Sequence, residues 1–185
     1  MKDFNFNTLE FCEALGRNIA PTILTYNIFK ALYVDTIPQL DQNKLICFVR
    51  QIFAGYNQKV EYHNEMHATD VLQMVYIFMT AGGLKNFAAL NLMDILAACI
   101  SAVCHDYAHD GFNNSYHVNS ISEMAIRFND KSVCENMHAS EAFAVLRKPD
   151  NNFLEGFERD EFKAFHLRFI GIILATDMSR HTEDL

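Results

Sequence analysis

Glycine and proline are scarce in this sequence, which has 7 glycines and 3 prolines among 185 residues. Because these residues mark turns and interrupt helices, their scarcity favours long helices over many short strands. No segment shows the polar–apolar alternation that is typical of a half-buried strand. Half of the residues are hydrophobic and 16 are phenylalanine, so the chain can bury a sizeable core. The composition therefore predicts one all-α unit over residues 1–185.

Clusters of lysine and arginine are also absent, and the formal net charge is -8. This excludes a basic surface of the kind that binds nucleic acid. An acidic chain repels anionic substrates at long range, so a metal ion or local dipoles would have to hold any such substrate.

The five cysteines are odd in number and scattered, and no C-x-x-C pair occurs. This pattern is typical of free thiols in a reducing compartment. The N-terminus lacks the apolar segment of a signal peptide. The apolar run that ends at Cys104 is too short to span a bilayer. We therefore expect a cytoplasmic protein without a membrane span.

Helical spacing and capping residues predict eight helices packed as one multi-helix bundle. Asp41 is the expected N-cap of the third helix, and Asn91 or Asp94 opens the fifth. The last helix has an apolar face with little sequence after it to cover that face, so we expect a larger domain. The predicted helices cover residues 8–15, 21–32, 41–55, 63–80, 91–105, 119–128, 133–146 and 159–182.

Two short segments carry histidines at helical spacing. His105, Asp106 and His109 follow ten mostly small or apolar residues. An imidazole beside a carboxylate suits Zn²⁺, Mn²⁺, iron or Mg²⁺, and burial of both groups is costly without partners. His63 and His67 would share one face of a helix, so that one could bind a metal ion while the other transfers a proton. Two surface or core histidines on an amphipathic helix explain this second pair equally well.

Six of the eight histidines fall in or beside four polar clusters that interrupt otherwise apolar helices. Their convergence on one cavity would indicate metal-assisted hydrolysis. For Glu135, however, the spacing favours a capping box with Ser132 as the N-cap. A helical kink would likewise explain Thr176, and a solvated charge would explain Asp177. The clusters lie around His67, around His105, from Asn129 to His138 and from Thr176 to His181.

Four motifs occur in a fixed order along the chain, and together they are far more specific than a single His-Asp pair. With them the chain resembles, from about Phe4 onwards, the catalytic domain of class I cyclic nucleotide phosphodiesterases, in the HD metal-hydrolase group. The motifs are Tyr62-His63-Asn64-x-x-His67-Ala68-x-Asp70-Val71, His105-Asp106-x-x-His109-x-Gly111, Asn129-Asp130-x-Ser132-Val133-x-Glu135-Asn136-x-His138 and Leu174-Ala175-Thr176-Asp177-Met178-x-x-His181.

The resemblance implies metal-dependent hydrolysis of 3′,5′-cyclic nucleotides, cAMP or cGMP, to 5′-monophosphates in signal transduction. His63 would be the general acid that protonates the leaving O3′. His67, His105 and Asp106 would hold a first metal ion, normally zinc, and Asp106 would bridge to a second, normally Mg²⁺ or Mn²⁺. The two cations would offset the phosphate charge and activate water at neutral pH.

The same resemblance assigns supporting roles to five further residues. His109, Glu135 and Thr176 would orient the ligands or waters of the metal ions. Tyr62 and Met178 would line the substrate pocket. The implied partner is a small cyclic nucleotide, and a homodimer stays open.

Two departures from the family pattern lie within the motifs: Asp110 stands where most members have proline, and Met137 replaces the first of two paired histidines. In the family the domain continues well beyond the position of Leu185. That part supplies a further aspartate ligand, a glutamine that holds the purine and an aromatic residue that stacks on it. The chain therefore resembles the N-terminal half of a catalytic domain, and nucleotide selectivity cannot be read from it.

Two alternatives remain. The first is a truncated, non-catalytic phosphodiesterase-like helical module. The second is an HD-type hydrolase of another phosphoester, against which the Tyr62-His63-Asn64 segment argues, since HD proteins at large do not share it.

Overall fold

The computed structural model describes residues 4–182, and this part of the chain contains ten α-helices, two 3₁₀-helices and no strand. The all-α prediction is therefore confirmed. The α-helices are α1 (Thr8–Leu15), α2 (Ala20–Ala31), α3 (Gln42–Gly55), α4 (Glu65–Thr80), α5 (Leu84–Phe87), α6 (Leu92–Cys104), α7 (Asn114–Asn119), α8 (Glu123–Phe128), α9 (Val133–Leu146) and α10 (Arg159–Leu174); the 3₁₀-helices are Val34–Thr36 and Met178–Thr182.

Local capping explains where several helices begin and end. The Asp41 side chain accepts hydrogen bonds from the first turn of α3, as predicted. Asn91 opens α6 in a capping box with Asp94, so both proposed residues take part. α1 ends at Gly16, whose φ of 90° favours glycine. The predicted span of α9 is also confirmed.

Other boundaries differ from the prediction. α4 begins at Glu65, so His63 precedes the helix. α10 ends at Leu174, and the predicted continuation to residue 182 is a turn followed by a 3₁₀-helix. The four-residue α5 and six-residue α7 were not predicted. The side chain of His181, at the end of the fourth motif, lies outside the described part of the structure.

α6 is the central helix and packs against both α4 and α10. From Ile95 to Cys104 every residue except Ala98 is buried, which accounts for the small and apolar sequence of this run. Large side chains fill the space around α6, and the fully buried ones include Phe48, Tyr76, Phe153, Phe165 and Phe169. His105 and Asp106 therefore lie at the C-terminal end of a helix that is buried in the core of the bundle.

Among residues 4–182, no helix combines the length and the hydrophobicity that a membrane crossing needs.

Candidate metal centre and its cavity

Two helices bring together three side chains that could hold a metal ion. His67 lies on the first turns of α4, and His105 and Asp106 directly follow α6. The Nε2 atom of His105 lies 3.2 Å from Nε2 of His67 and 3.2 Å from Oδ2 of Asp106. His67 Nε2 lies 3.4 Å from the same carboxylate oxygen. All three ligand atoms thus lie within 4.8 Å of one another.

The donor set fits a divalent cation. When the His105 ring is neutral, its Nδ1–H group donates to the carbonyl oxygen of Ala102 at 2.9 Å, which leaves the lone pair on Nε2 directed at the cluster. Such a bond to the far ring nitrogen commonly orients a metal-bound histidine. Two imidazole nitrogens and one carboxylate oxygen suit zinc and similar ions. The predicted His67, His105 and Asp106 set therefore converges, as a metal site requires.

The charges of these groups depend on one another. Burial alone would raise the pKa of the Asp106 carboxyl, but the hydrogen bond and charge of His105 hold it well below its usual range. Burial would lower the pKa of His105, but the Asp106 carboxylate raises it overall. For His67, burial and then the charge of His105 lower the pKa. Asp106 is thus an anion at neutral pH and His67 is neutral, the forms that bind a metal ion, whereas a metal ion would have to displace the proton that Asp106 favours on His105.

His63 lies at the rim of this cluster but not on α4, so the predicted one-helix arrangement of His63 and His67 is wrong. Asn64 intervenes as the N-cap, because its side-chain oxygen accepts the backbone N–H of Met66 at 3.0 Å. The His63 ring instead stacks on the His109 ring, with centroids 4.1 Å apart and planes 7° from parallel. The backbone before α4 therefore places His63 beside the second histidine motif.

Asn64→Ala should lower the free energy of unfolding by about 1–2 kcal/mol, because it removes the N-cap of the helix that carries His67. It also removes two bonds from the Asn64 amide to the carbonyls of Val60 and Glu61. Urea denaturation followed by circular dichroism measures the change. Asn43→Ala, at an exposed position on α3, is the control and should have little effect. Equal stability of the two variants would contradict the capping role.

The predicted capping box at Ser132 and Glu135 is wrong. Ser132 has a left-handed backbone (φ 41°, ψ 53°) and makes no capping bond, since an N-cap normally has extended geometry. The Glu135 carboxylate turns instead towards α7 and accepts a hydrogen bond from the Asn114 amide at 2.9 Å. Burial raises the pKa of Glu135, and the Asn114 bond opposes this. Glu135 thereby lines the cavity from the first turn of α9.

Asp177 is not a solvated charge, since only 5% of it is exposed. Its carboxylate accepts hydrogen bonds from the Ser132 hydroxyl at 2.6 Å and from the Ser179 N–H at 2.9 Å. The Ser179 hydroxyl adds a bond of 2.7 Å. Asp177 thus ties the segment after α10, which carries Thr176 and Met178, to the start of α9.

The metal cluster, His63, Glu135 and Asp177 line one cavity of about 1320 Å³, which exceeds the roughly 300–1,000 Å³ of most small-molecule sites. Its walls beyond the polar groups are apolar and include Val71, Val75 and Phe78 of α4. Tyr62 and Met178 are largely exposed where they line it. The nine residues singled out from the sequence all line this cavity: Tyr62, His63, His67, His105, Asp106, His109, Glu135, Thr176 and Met178.

His138 also belongs to the site, although the third motif contained it without assigning it a role. It is almost fully buried, and its Nδ1–H donates to the carbonyl oxygen of Tyr107 at 2.6 Å. Its Nε2 atom lies 3.9 Å from Oδ1 of Asp106. The signal was its position three residues after Glu135, which places both on one helical face.

The free energy of unfolding of the metal-free protein should fall as the pH is lowered from about 6.5 to about 4. Burial lowers the pKa of His138 from 6.5 to about 4, so in this window the unfolded chain binds a proton that the folded chain does not. One such proton gives a slope of up to about 1.4 kcal/mol per pH unit. Urea denaturation at several pH values should show a smaller slope for His138→Gln. An unchanged slope would contradict this account.

The sequence matches known proteins along almost its whole length. The family of 3′5′-cyclic nucleotide phosphodiesterases matches residues 62–185. The 3′,5′-cyclic-nucleotide phosphodiesterase regA of Dictyostelium discoideum is 36% identical over 183 residues, which are 99% of this chain and 22% of that protein. The dual specificity calcium/calmodulin-dependent 3′,5′-cyclic nucleotide phosphodiesterase 1B of Bos taurus is 32% identical over 98% of this chain and 33% of its own length.

The fold agrees with these matches. A crystal structure of the phosphodiesterase domain of the RhoPDE fusion protein from the choanoflagellate Salpingoeca rosetta superposes with a TM-score of 0.86 at 32% identity. The match covers 98% of this chain and 54% of that one, so the chain spans about half of the solved domain and a third or less of these two curated relatives. The chain therefore belongs to the family of 3′5′-cyclic nucleotide phosphodiesterases.

Proposed function

We propose that the protein hydrolyses 3′,5′-cyclic nucleotides, cAMP or cGMP, to 5′-monophosphates in signal transduction. The observation that carries this proposal is the cluster of His67, His105 and Asp106 beside His63 in one large cavity. Family membership supports the same reaction. With two nitrogen ligands and one oxygen ligand, zinc is the proposed first ion, and Mg²⁺ or Mn²⁺ is the proposed second.

Bound divalent ions would supply positive charge for the cyclic phosphate and would activate water at neutral pH. His63 is the proposed general acid, which gives a proton to O3′ as the ring opens. His109 supports His63 through the stacked rings. Glu135 and Thr176 line the same cavity and are proposed to orient groups around the ions, and Tyr62 and Met178 to contact the nucleotide.

A second candidate is a non-catalytic, truncated phosphodiesterase-like module. The observation that favours it is that the described residues contribute three metal-binding groups to the cluster.

We take residues 1–185 as a partial catalytic domain. A cytoplasmic location and a homodimer stay predictions; analytical ultracentrifugation tests the dimer.

Product analysis separates the candidates. The purified chain is incubated with Zn²⁺, Mg²⁺ and either cAMP, cGMP or 2′,3′-cyclic AMP, and the products are resolved by chromatography. Formation of 5′-AMP or 5′-GMP supports the proposal and excludes the non-catalytic module. Cleavage of the 2′,3′ isomer alone would indicate another phosphoesterase, and no turnover of any substrate would favour the non-catalytic module.

A further inference from the structure

The loop of residues 109–112, which carries His109, is folded by its own side chains. The Nδ1 atom of His109 accepts the N–H of Gly111 at 2.9 Å, so the proton of the neutral ring lies on Nε2. The Oδ1 atom of Asp110 accepts the N–H of Phe112 at 3.0 Å. Gly111 permits the turn because its φ of 98° is unfavourable for other residues. The position of the His109 ring therefore depends on how this loop is held.

A buried imidazole faces the loop from α7. Only 2% of His117 is exposed, and its Nε2 atom lies 3.4 Å from Oδ1 of Asp110. Nε2 is buried and has no hydrogen bond elsewhere in the described chain, so the Asp110 carboxylate is the group that can satisfy it.

The other ring nitrogen fixes the direction of this contact. Nδ1 of His117 lies 3.1 Å from the Ser122 hydroxyl oxygen, which already accepts the N–H of Ala125 as the N-cap of α8. The hydroxyl hydrogen of Ser122 can therefore be donated to Nδ1, which places the proton of His117 on Nε2, towards Asp110. The ring thus connects the start of α8 to the loop after α6.

We propose that His117 and Asp110 form a brace that positions the 109–112 loop and keeps the His109 ring, in its Nε2–H form, stacked on His63. The brace acts through His109 and does not itself touch the reacting atoms. Its importance for turnover rests on the function proposed for His63, but its geometry does not. It therefore admits a test without nucleotide or metal.

Nitrogen-15 NMR of histidine imidazoles reports the test directly, because protonated and unprotonated ring nitrogens have distinct signals. The wild-type chain should show His109 as the Nε2–H tautomer, and the Gly111 amide should exchange slowly. Asp110→Ala and His117→Leu should both give mixed tautomers and should speed this exchange by about tenfold, as expected of a locally opened loop. Asp110→Asn keeps a hydrogen-bond acceptor and His117→Gln keeps a donor. Both variants should therefore show the wild-type tautomer and the slow exchange of the Gly111 amide.

Asp150→Ala removes an exposed aspartate that does not line the cavity and is the matched control. Thermal denaturation followed by circular dichroism verifies that each variant is folded. If His117→Leu does not fold, the two Asp110 variants decide the test. Wild-type signals in Asp110→Ala would overturn the brace. The brace would also be overturned if Asp110→Ala gave mixed tautomers and a folded His117→Leu did not. Asp110 would then hold the loop only through its bond to the Phe112 N–H.

Discussion

Asp106→Asn should lower the affinity of the chain for Zn²⁺ by more than about 100-fold. Loss of residues that only orient metal ligands commonly costs 10–100-fold, and Asp106 is the one anionic group in the cluster. Its carboxylate also lies within 3.4 Å of both imidazoles, so neutralising it removes the negative charge that would attract a cation to the two nitrogen donors. Isothermal titration calorimetry of the metal-free chain measures the affinity.

Asp150→Asn, at an exposed site outside the cavity, is the matched control and should bind Zn²⁺ like the wild type. Circular dichroism verifies that Asp106→Asn is folded. Wild-type affinity in a folded Asp106→Asn variant would show that the metal ion binds elsewhere.

His63→Gln should lower the rate of cyclic nucleotide hydrolysis by about 10²–10⁴-fold, the usual contribution of a general acid. Zn²⁺ affinity should be unchanged, since His63 lies outside the three-residue cluster. The test requires an active form of the protein and compares kcat with the Zn²⁺ affinity of the same preparation.

His166→Gln is the control, because His166 lies on α10 and does not line the cavity. Full activity in His63→Gln would refute its role as the proton donor. A loss of both activity and Zn²⁺ binding would instead assign His63 to the metal centre.

The sequence predicted the helices whose ends are decided locally. α3 begins where the Asp41 side chain caps it, and α1 stops at Gly16. α5 and α7 are only four and six residues long, too short for an apolar period to be recognised. α10 ends early at Leu174, where Asp177 folds back to bond Ser132. That partner lies 45 residues away, so no local pattern reveals it.

In the candidate site, too, the sequence predicted residue identities better than the positions that tertiary contacts decide. Residue types and the four motifs predicted which side chains line the cavity, because metal-binding and proton-transferring groups are few and their order is specific. Their local placement was harder. The spacing of His63 and His67 predicted one helix, but the Asn64 cap separates them. The Ser132–Glu135 spacing predicted a capping box, but contacts distant in sequence set the positions of both side chains. Glu135 accepts a hydrogen bond from Asn114, and Ser132 donates one to Asp177.

Hydrolysis measured as a function of metal occupancy tests the central claim, that the His67, His105 and Asp106 cluster holds the ion on which cyclic nucleotide hydrolysis depends. The metal-free chain is titrated with Zn²⁺ in the presence of Mg²⁺, and 5′-AMP or 5′-GMP formation is followed at each step. The rate should rise in proportion to the occupancy of this one site and should stay at background in Asp106→Asn. A fully occupied site with only background hydrolysis would contradict the claim.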